Sequence, residues 1–143
     1  MAASAPVRKY IRSYEDLDVY QRALDLVRPV YDLVAAFPDI EKYGLCDQTR
    51  RACRSVPANI AEAYGRRRSP KQFQSMLDIA LGSANEMEAH FKIAYRLAYI
   101  SDDVCNRSVE EYRVVARQLY RLIQHWRNLD TLPPGSSLQE PSP

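Results

Sequence analysis

Residues 69–98 read SPKQFQSMLDIALGSANEMEAHFKIAYRLA. Ser69 can accept from the free amides at a helix start, Pro70 takes the first helical position where no donor is needed, and Gln72 completes an S-x-x-Q capping box. Phe73, Leu77, Ala80, Ala84, Met87, Phe91, Ala94 and Ala98 then recur at alternating spacings of four and three, which aligns them on one helical face. Small residues alternating with large ones describe the seam of a helix bundle. Met76 and Leu81 add apolar surface beside that seam, more than one partner helix needs. Gly82 costs a helix interior about 1 kcal/mol relative to alanine, and a close backbone approach would explain it.

The same period recurs on both sides of this run. Before it, Leu45, Thr49, Ala52, Val56, Ile60 and Ala63 form a stripe over about Glu41 to Tyr64. Pro57 predicts a kink there, or two shorter helices meeting near Ser55, and Gly65 offers a C-terminal cap. Earlier still, Leu17, Tyr20, Leu24, Val27, Tyr31 and Val34 mark a helix from about Asp16 to Phe37, with acidic residues in its first turn and Pro29 as its bend. After it, Tyr112, Val115, Leu119, Leu122, Trp126 and Leu129 mark a fourth helix, starting at Ser101 or at the Ser108-x-x-Glu111 box. Four helices with short joints predict an all-α, up-down-up-down antiparallel four-helix bundle over residues 14–130. Residues 1–13 are expected to be a flexible tail, and residues 131–143, with four of the nine prolines, a Pro-rich disordered one.

Composition narrows the class of molecule. Four glycines in 143 residues are few for a β-sandwich or barrel, and neither GxGxxG nor GxxxxGK[ST] occurs. Cys46, Cys53 and Cys105 are odd in number and lack CxxC or metal-ligand spacing. Cys46 and Cys53 would share a helix face at about 10 Å along its axis, too far apart to bridge. All three are expected to be reduced, in a cytoplasmic protein. No apolar run has the length of a signal-peptide core or a membrane span, so no membrane partner is expected.

The formal charge of +2 conceals a division. Residues 13–41 carry two basic and seven acidic groups, net −5, whereas residues 42–71 carry eight basic and two acidic groups, net +6. The basic set is Lys42, Arg50, Arg51, Arg54, Arg66, Arg67, Arg68 and Lys71, and sixteen of the chain's 20 basic residues are Arg, suited to bidentate phosphate or carboxylate contacts. One reading pairs the basic helix with the acidic first helix, within or between subunits. The other sets Arg66, Arg67, Arg68 and Lys71, with Arg50, Arg51 and Arg54, against a nucleic-acid backbone. The ten tyrosines do not decide between them, because several lie on core stripes.

No catalytic constellation is evident, and no cofactor is implied. His90 and His125 are the two histidines, and neither has a Glu three residues before it, as a carboxylate-bridged metal bundle would require. Glu86 and Glu88 point to different faces. A polar cluster surrounds Pro57: Gln48, Ser55, Asn59 and Glu62, with Arg50, Arg51 and Arg54. Asn59 and Glu62 lie among Ile60, Ala61 and Ala63, so at least one is expected to be partly buried, with an Arg or proline-freed backbone groups holding Glu62.

The runs from Leu17 to Ala23, Gln48 to Ala52, Ser55-Val-Pro-Ala-Asn-Ile-Ala-Glu62 and Ile79-Ala-Leu-Gly-Ser83, with Glu86 and Glu88, closely resemble the four-helix-bundle proteins of the 23S rRNA intervening-sequence family. Ala63 stands where the family usually has Gly. The resemblance spans roughly residues 14–129, places Glu86 with the polar cluster, and implies a bundle assembling as a homopentamer. It also implies an association with nucleic acid, since a distantly similar group, the accessory variability proteins of retroelement reverse transcriptases, engages RNA and the polymerase. The function expected is a non-enzymatic, oligomeric protein binding RNA or DNA backbone. The alternative is an interaction scaffold whose basic corner meets an acidic protein partner.

Overall fold

A computed structural model describes residues 11–129, so the expected tails lie outside the described residues except for residues 11–13. Ile11 packs against the core, and Ser13 caps a 3-10 turn at Tyr14–Asp16. The α-helices are α1 (Asp18–Asp25), α2 (Val27–Ala35), α3 (Leu45–Gly65), α4 (Pro70–Arg96) and α5 (Asp102–Leu129), with a second 3-10 turn at Asp39–Glu41. Among the described residues there is no strand, and no helix is long and apolar enough to cross a membrane. Helices α1 and α2 together make the first rod of a four-helix bundle.

Ring contacts establish the antiparallel order. Phe73, early in α4, stacks on Trp126, late in α5, at 4.1 Å between centroids. Phe91, late in α4, meets Tyr112, early in α5, at 5.9 Å. Likewise Arg54 of α3 donates to the Tyr31 hydroxyl of α2, and the Cys46 thiol donates to the Val34 carbonyl at 3.7 Å. The three cysteines are free, and all three are buried. Burial and the neighbouring Cys53 thiol push the Tyr112 phenol up, so it stays protonated and donates to Cys53 Sγ at 3.4 Å.

The stripes expected on α3 and α5 are buried wherever described, as are those of α4 from Phe73 to Ala94. The first rod departs from its expected stripe. It is broken at Leu26, and its buried residues are Val19, Ala23, Val30 and Val34, while Leu24 is 43% exposed. Pro29 explains the break, because it cannot donate to the Asp25 carbonyl. At the third position of α2 it falls among amides that have no intrahelical acceptor anyway.

Helix α3, by contrast, runs unbroken through Pro57. It starts later than expected because Glu41 serves as its cap instead of its first turn. Glu41 Oε2 accepts from the Leu45 amide at 3.2 Å, and Oε1 accepts from the Tyr99 hydroxyl at 3.0 Å. Helix α5 starts at the earlier of its two expected sites, where Ser101 Oγ accepts from the Val104 amide at 3.2 Å.

At the start of α4 one arm of the capping box forms, with Ser69 Oγ accepting from the Gln72 amide at 3.3 Å. The Gln72 side chain turns instead to Arg66 Nη1, at 3.4 Å. Ala98 is not on the seam. It is exposed, with φ of 62°, and closes α4 with two reversed hydrogen bonds, Ala98 amide to Tyr95 carbonyl at 2.9 Å and Tyr99 amide to Ala94 carbonyl at 2.8 Å. This is a Schellman end, which usually uses glycine. Gly82 also differs from expectation, since a Cβ there would meet nothing within 4 Å, and no neighbour in the chain accounts for it.

Helices α3 and α4 are clamped near Pro57. Asn59 Nδ2 donates to Ser55 Oγ at 2.9 Å and to the Ser55 carbonyl at 2.8 Å, and the Ser55 and Ser83 hydroxyls share a hydrogen bond at 2.8 Å.

The helix end and the clamp each set an expected stability change. Ala98→Gly relieves the left-handed strain and should raise stability by about 1 kcal/mol in chemical denaturation. Ser83→Ala should cost about 1–2 kcal/mol, and adding Ser55→Ala should cost less than the sum of the single losses, a coupling readable from a double-mutant cycle.

Candidate nucleic-acid interface

The corner between α3 and α4 is built by two helix ends. The α3 ladder closes with the Arg66 amide donating to the Glu62 and Ala63 carbonyls, and the Ser69 amide reaches back to the Arg66 carbonyl at 3.0 Å. Three arginines are therefore displayed within one tight turn. Arg66 is tied down by Glu62, 3.1 Å away, and by Gln72. Arg67 lies over the Tyr64 ring at 4.2 Å and donates to the Tyr64 carbonyl at 3.0 Å. This holds its guanidinium in place without neutralising it. Arg68 and Lys71 are exposed, and among the described residues neither has an ion pair.

Helix dipoles separate these cations by cause. Arg66 and Arg67 stand at the negative end of α3, where positive charge favours the helix. Lys71 is in the first turn of α4, where the dipole disfavours a cation. Helix stability therefore does not explain Lys71.

The remaining cations do not join this corner. Arg54 precedes Arg66 by twelve residues, or about 18 Å along α3. It is bound to Tyr31 on the side facing α2, where Arg50 also reaches the Lys42 carbonyl at 3.5 Å. Arg51 points outward and pairs with Asp47 at 3.1 Å. The basic strip read from the sequence is thus two patches. The pairing expected between acidic and basic helices is missing at Asp25 and Asp32, since among the described residues no ion pair joins either to α3.

The expected polar cluster also divides. Ser55 and Asn59 belong to the α3–α4 clamp, whose third member, Ser83, was not among the site residues expected from the sequence. A serine within a seam of small residues carries no periodic signal. Glu62 is held by an Arg as expected, but at 49% side-chain exposure, so the partly buried member is Asn59. Glu86 turns to His90, at 3.1 Å, and Gln48 is exposed. His90 is 7% exposed, and its Nδ1 is buried without a partner, as is Nε2 of His125. Tyr64 and Gln72, which orient the corner arginines, were also not anticipated; an aromatic three residues before an Arg in a helix end was the available signal. Among the described residues no group of three His, Cys, Asp or Glu converges to hold a metal ion.

Comparison with known proteins places this architecture. A protein of unknown function from the S23 ribosomal protein family of Bacteroides thetaiotaomicron VPI-5482 has a crystal structure with a TM-score of 0.67 to this one, at 25% identity, covering 74% of this chain and 95% of its own. No curated protein matches. The 23S rRNA-intervening sequence protein family matches residues 15–121, a span that contains the clamp and the basic corner. The chain belongs to the 23S rRNA-intervening sequence protein family.

Proposed function

We propose that the chain is a non-enzymatic, oligomeric protein that binds the backbone of RNA or DNA through the α3–α4 corner, with Arg67, Arg68 and Lys71 as phosphate contacts and Arg66 bracing them. The observation that carries this is the placement of Arg68 and Lys71, exposed and without an ion pair among the described residues, beside the positive end of α4. Exposed cations beside the positive end of a helix together favour a phosphate. Arg67, prepositioned on Tyr64, gives up less side-chain freedom on binding than an unconstrained arginine would. A corner this small makes a weak site, and several copies in one assembly would add by avidity. Membership in a family named for 23S rRNA supports the choice of nucleic acid.

Two measurements test this function. Affinity for a short RNA should fall steeply between about 50 and 200 mM salt. Changing Arg67, Arg68 and Lys71 together to Ser should weaken binding at least about tenfold and flatten the salt slope by about 3, one for each phosphate no longer neutralised, with circular dichroism unchanged. Arg50→Ser with Arg54→Ser should have little effect on either. Equal affinity of the triple variant and the wild type overturns the assignment. A partner that survives nuclease treatment in a pull-down through this corner would make its target an acidic protein instead.

A further inference from the structure

The core absorbs only part of the stripe on the first rod. Leu17 and Val34 at its ends are buried, but Tyr20, Val27 and Tyr31 are only partly buried and Leu24 is 43% exposed. These four recur at spacings of four, three and four and keep one face, because Leu26, at the break, retains helical dihedrals. That face is the edge toward α3, since Tyr31 meets Arg54 there. The acids of the rod lie elsewhere. Asp18, Asp25 and Asp32 are seven residues apart and share a second face, where Asp18 and Asp25 line a polar cleft toward α5 with Glu111 and Gln118. Arg28 stands between Asp25 and Asp32 and belongs with them.

Across this edge α3 presents Arg54, Ala58, Ala61 and Gly65, again at spacings of four, three and four. Ala58 and Gly65 are exposed and Ala61 partly so. No acid lies on this face of α3 between Arg54 and Gly65, and Glu62, off to its side, is tied to Arg66. Both ends of the edge are basic. Arg67, Arg68 and Lys71 stand at the corner, and Lys42, Arg50 and Arg54 at the α2–α3 turn, the length of α3 away, about 31 Å for its 21 residues. Among the described residues none of these six has an ion pair. The bonds of Arg54 to the Tyr31 hydroxyl and of Arg50 to the Lys42 carbonyl hold those guanidiniums without neutralising them. Of the acids nearby, Glu41 is turned inward to Tyr99 and Leu45, Asp47 is taken by Arg51, and Asp16 accepts from the Arg12 and Ser13 amides. That leaves Asp39, exposed at the turn, and Glu15, beside Tyr20.

An aromatic ring completes the end away from the corner. Tyr43 is 86% exposed, and the Lys42 ammonium lies over its ring at 5.4 Å. Nothing in the packing of the bundle calls for a tyrosine there. An exposed ring beside unpaired cations meets both needs of a single strand, stacking for a base and neutralisation for its phosphates. A duplex keeps its base faces within its own stack and has none to offer such a ring. A stacked strand advances about 3.4 Å per nucleotide, so the length of α3 matches roughly nine nucleotides.

We infer that a single strand of nucleic acid lies along the edge between the first rod and α3, with its phosphates on the corner cations at one end and on Lys42, Arg50 and Arg54 at the other, and with one base stacked on Tyr43. The small side chains of Ala58, Ala61 and Gly65 let the strand pass close to α3 between the two ends. This path rests on the phosphate-binding corner proposed above and extends it. A short RNA held at the corner alone does not reach Arg50, Arg54 or Tyr43.

Fluorescence anisotropy of a labelled oligouridine of about 15 nucleotides, long enough for that span, tests it on the full chain. Tyr43→Ala should weaken binding at least about fivefold, the lower end of what losing one stacked base costs, and Tyr43→Phe should restore it, because the ring and not the hydroxyl stacks. Arg50→Ser with Arg54→Ser should flatten the salt slope by about 1.4, or about 0.7 for each phosphate of a single strand no longer neutralised. Circular dichroism should be unchanged in each. A duplex of the same length should lose less on Tyr43→Ala, and an equal loss overturns the choice of a single strand. Polyglutamate that displaces the oligouridine as well as unlabelled oligouridine does makes this edge a surface for an acidic protein and overturns the strand. Variants at Tyr43, Arg50 and Arg54 that bind like the wild type, while the Arg67, Arg68 and Lys71 triple variant loses affinity, overturn this path alone and leave the corner standing. A wild type that binds no oligouridine, short RNA or duplex overturns both.

Discussion

Ala52 and Ala63 on α3 and Ala80, Ala84 and Ala94 on α4 are all buried, and small side chains alternating with large ones let these two antiparallel helices lie close. The Ser55–Ser83 hydrogen bond then favours one register, because sliding either helix would leave a part-buried hydroxyl unpaired. Much of the molecule depends on that seam. The turn from Gly65 to Pro70 can be short because the two helix ends lie side by side, and the short turn concentrates three arginines. Helix α5 packs on the other side of α4 and brings Trp126 to Phe73. The first rod completes the bundle along α3 and, having broken at Leu26, leaves one side open.

The electrostatics follow from the same geometry. The acidic rod and the basic α3 are neighbours, yet Asp25 and Asp32 have no ion pair with α3 among the described residues. Three of the ion pairs among the described residues are exposed and separated by four residues on one helix, a kind worth at most a few tenths of a kcal/mol each. The division of charge therefore does little for the stability of one copy. It leaves Arg68 and Lys71 exposed at the corner and Asp25 and Asp32 exposed on the first rod.

The fold was largely legible in the order of residues. The S-P-x-Q start of α4 and the stripes of α3, α4 and α5 follow from periodicity alone, because burying one face of a helix demands it. Pro57 and Pro29 were harder to tell apart. Both interrupt a helical pattern, but α3 passes through Pro57 with the ring buried, while the first rod ends and restarts at Leu26, three residues before Pro29. Which outcome holds depends on whether neighbouring elements stabilise the helix beyond the missing hydrogen bond, and α3 is packed on both sides. Ala98 fitted the stripe by spacing yet ended the helix in a left-handed turn, since periodicity alone does not mark a helix end that lacks glycine.

The candidate site was legible as composition and not as arrangement. Counting along the chain was enough to find the basic stretch from Lys42 to Lys71 and the acidic stretch before it, and the stripe spacings were enough for the bundle, because both depend only on which residues stand near each other in the chain. Spacing could not divide the cations into a corner and a separate patch facing α2, assign Arg66 to Glu62 and Arg67 to Tyr64, or bring Ser83 to Ser55. Those pairings depend on the angle at which each side chain leaves its helix and on which helix lies opposite, and both are set only when α3, α4 and the broken first rod pack together.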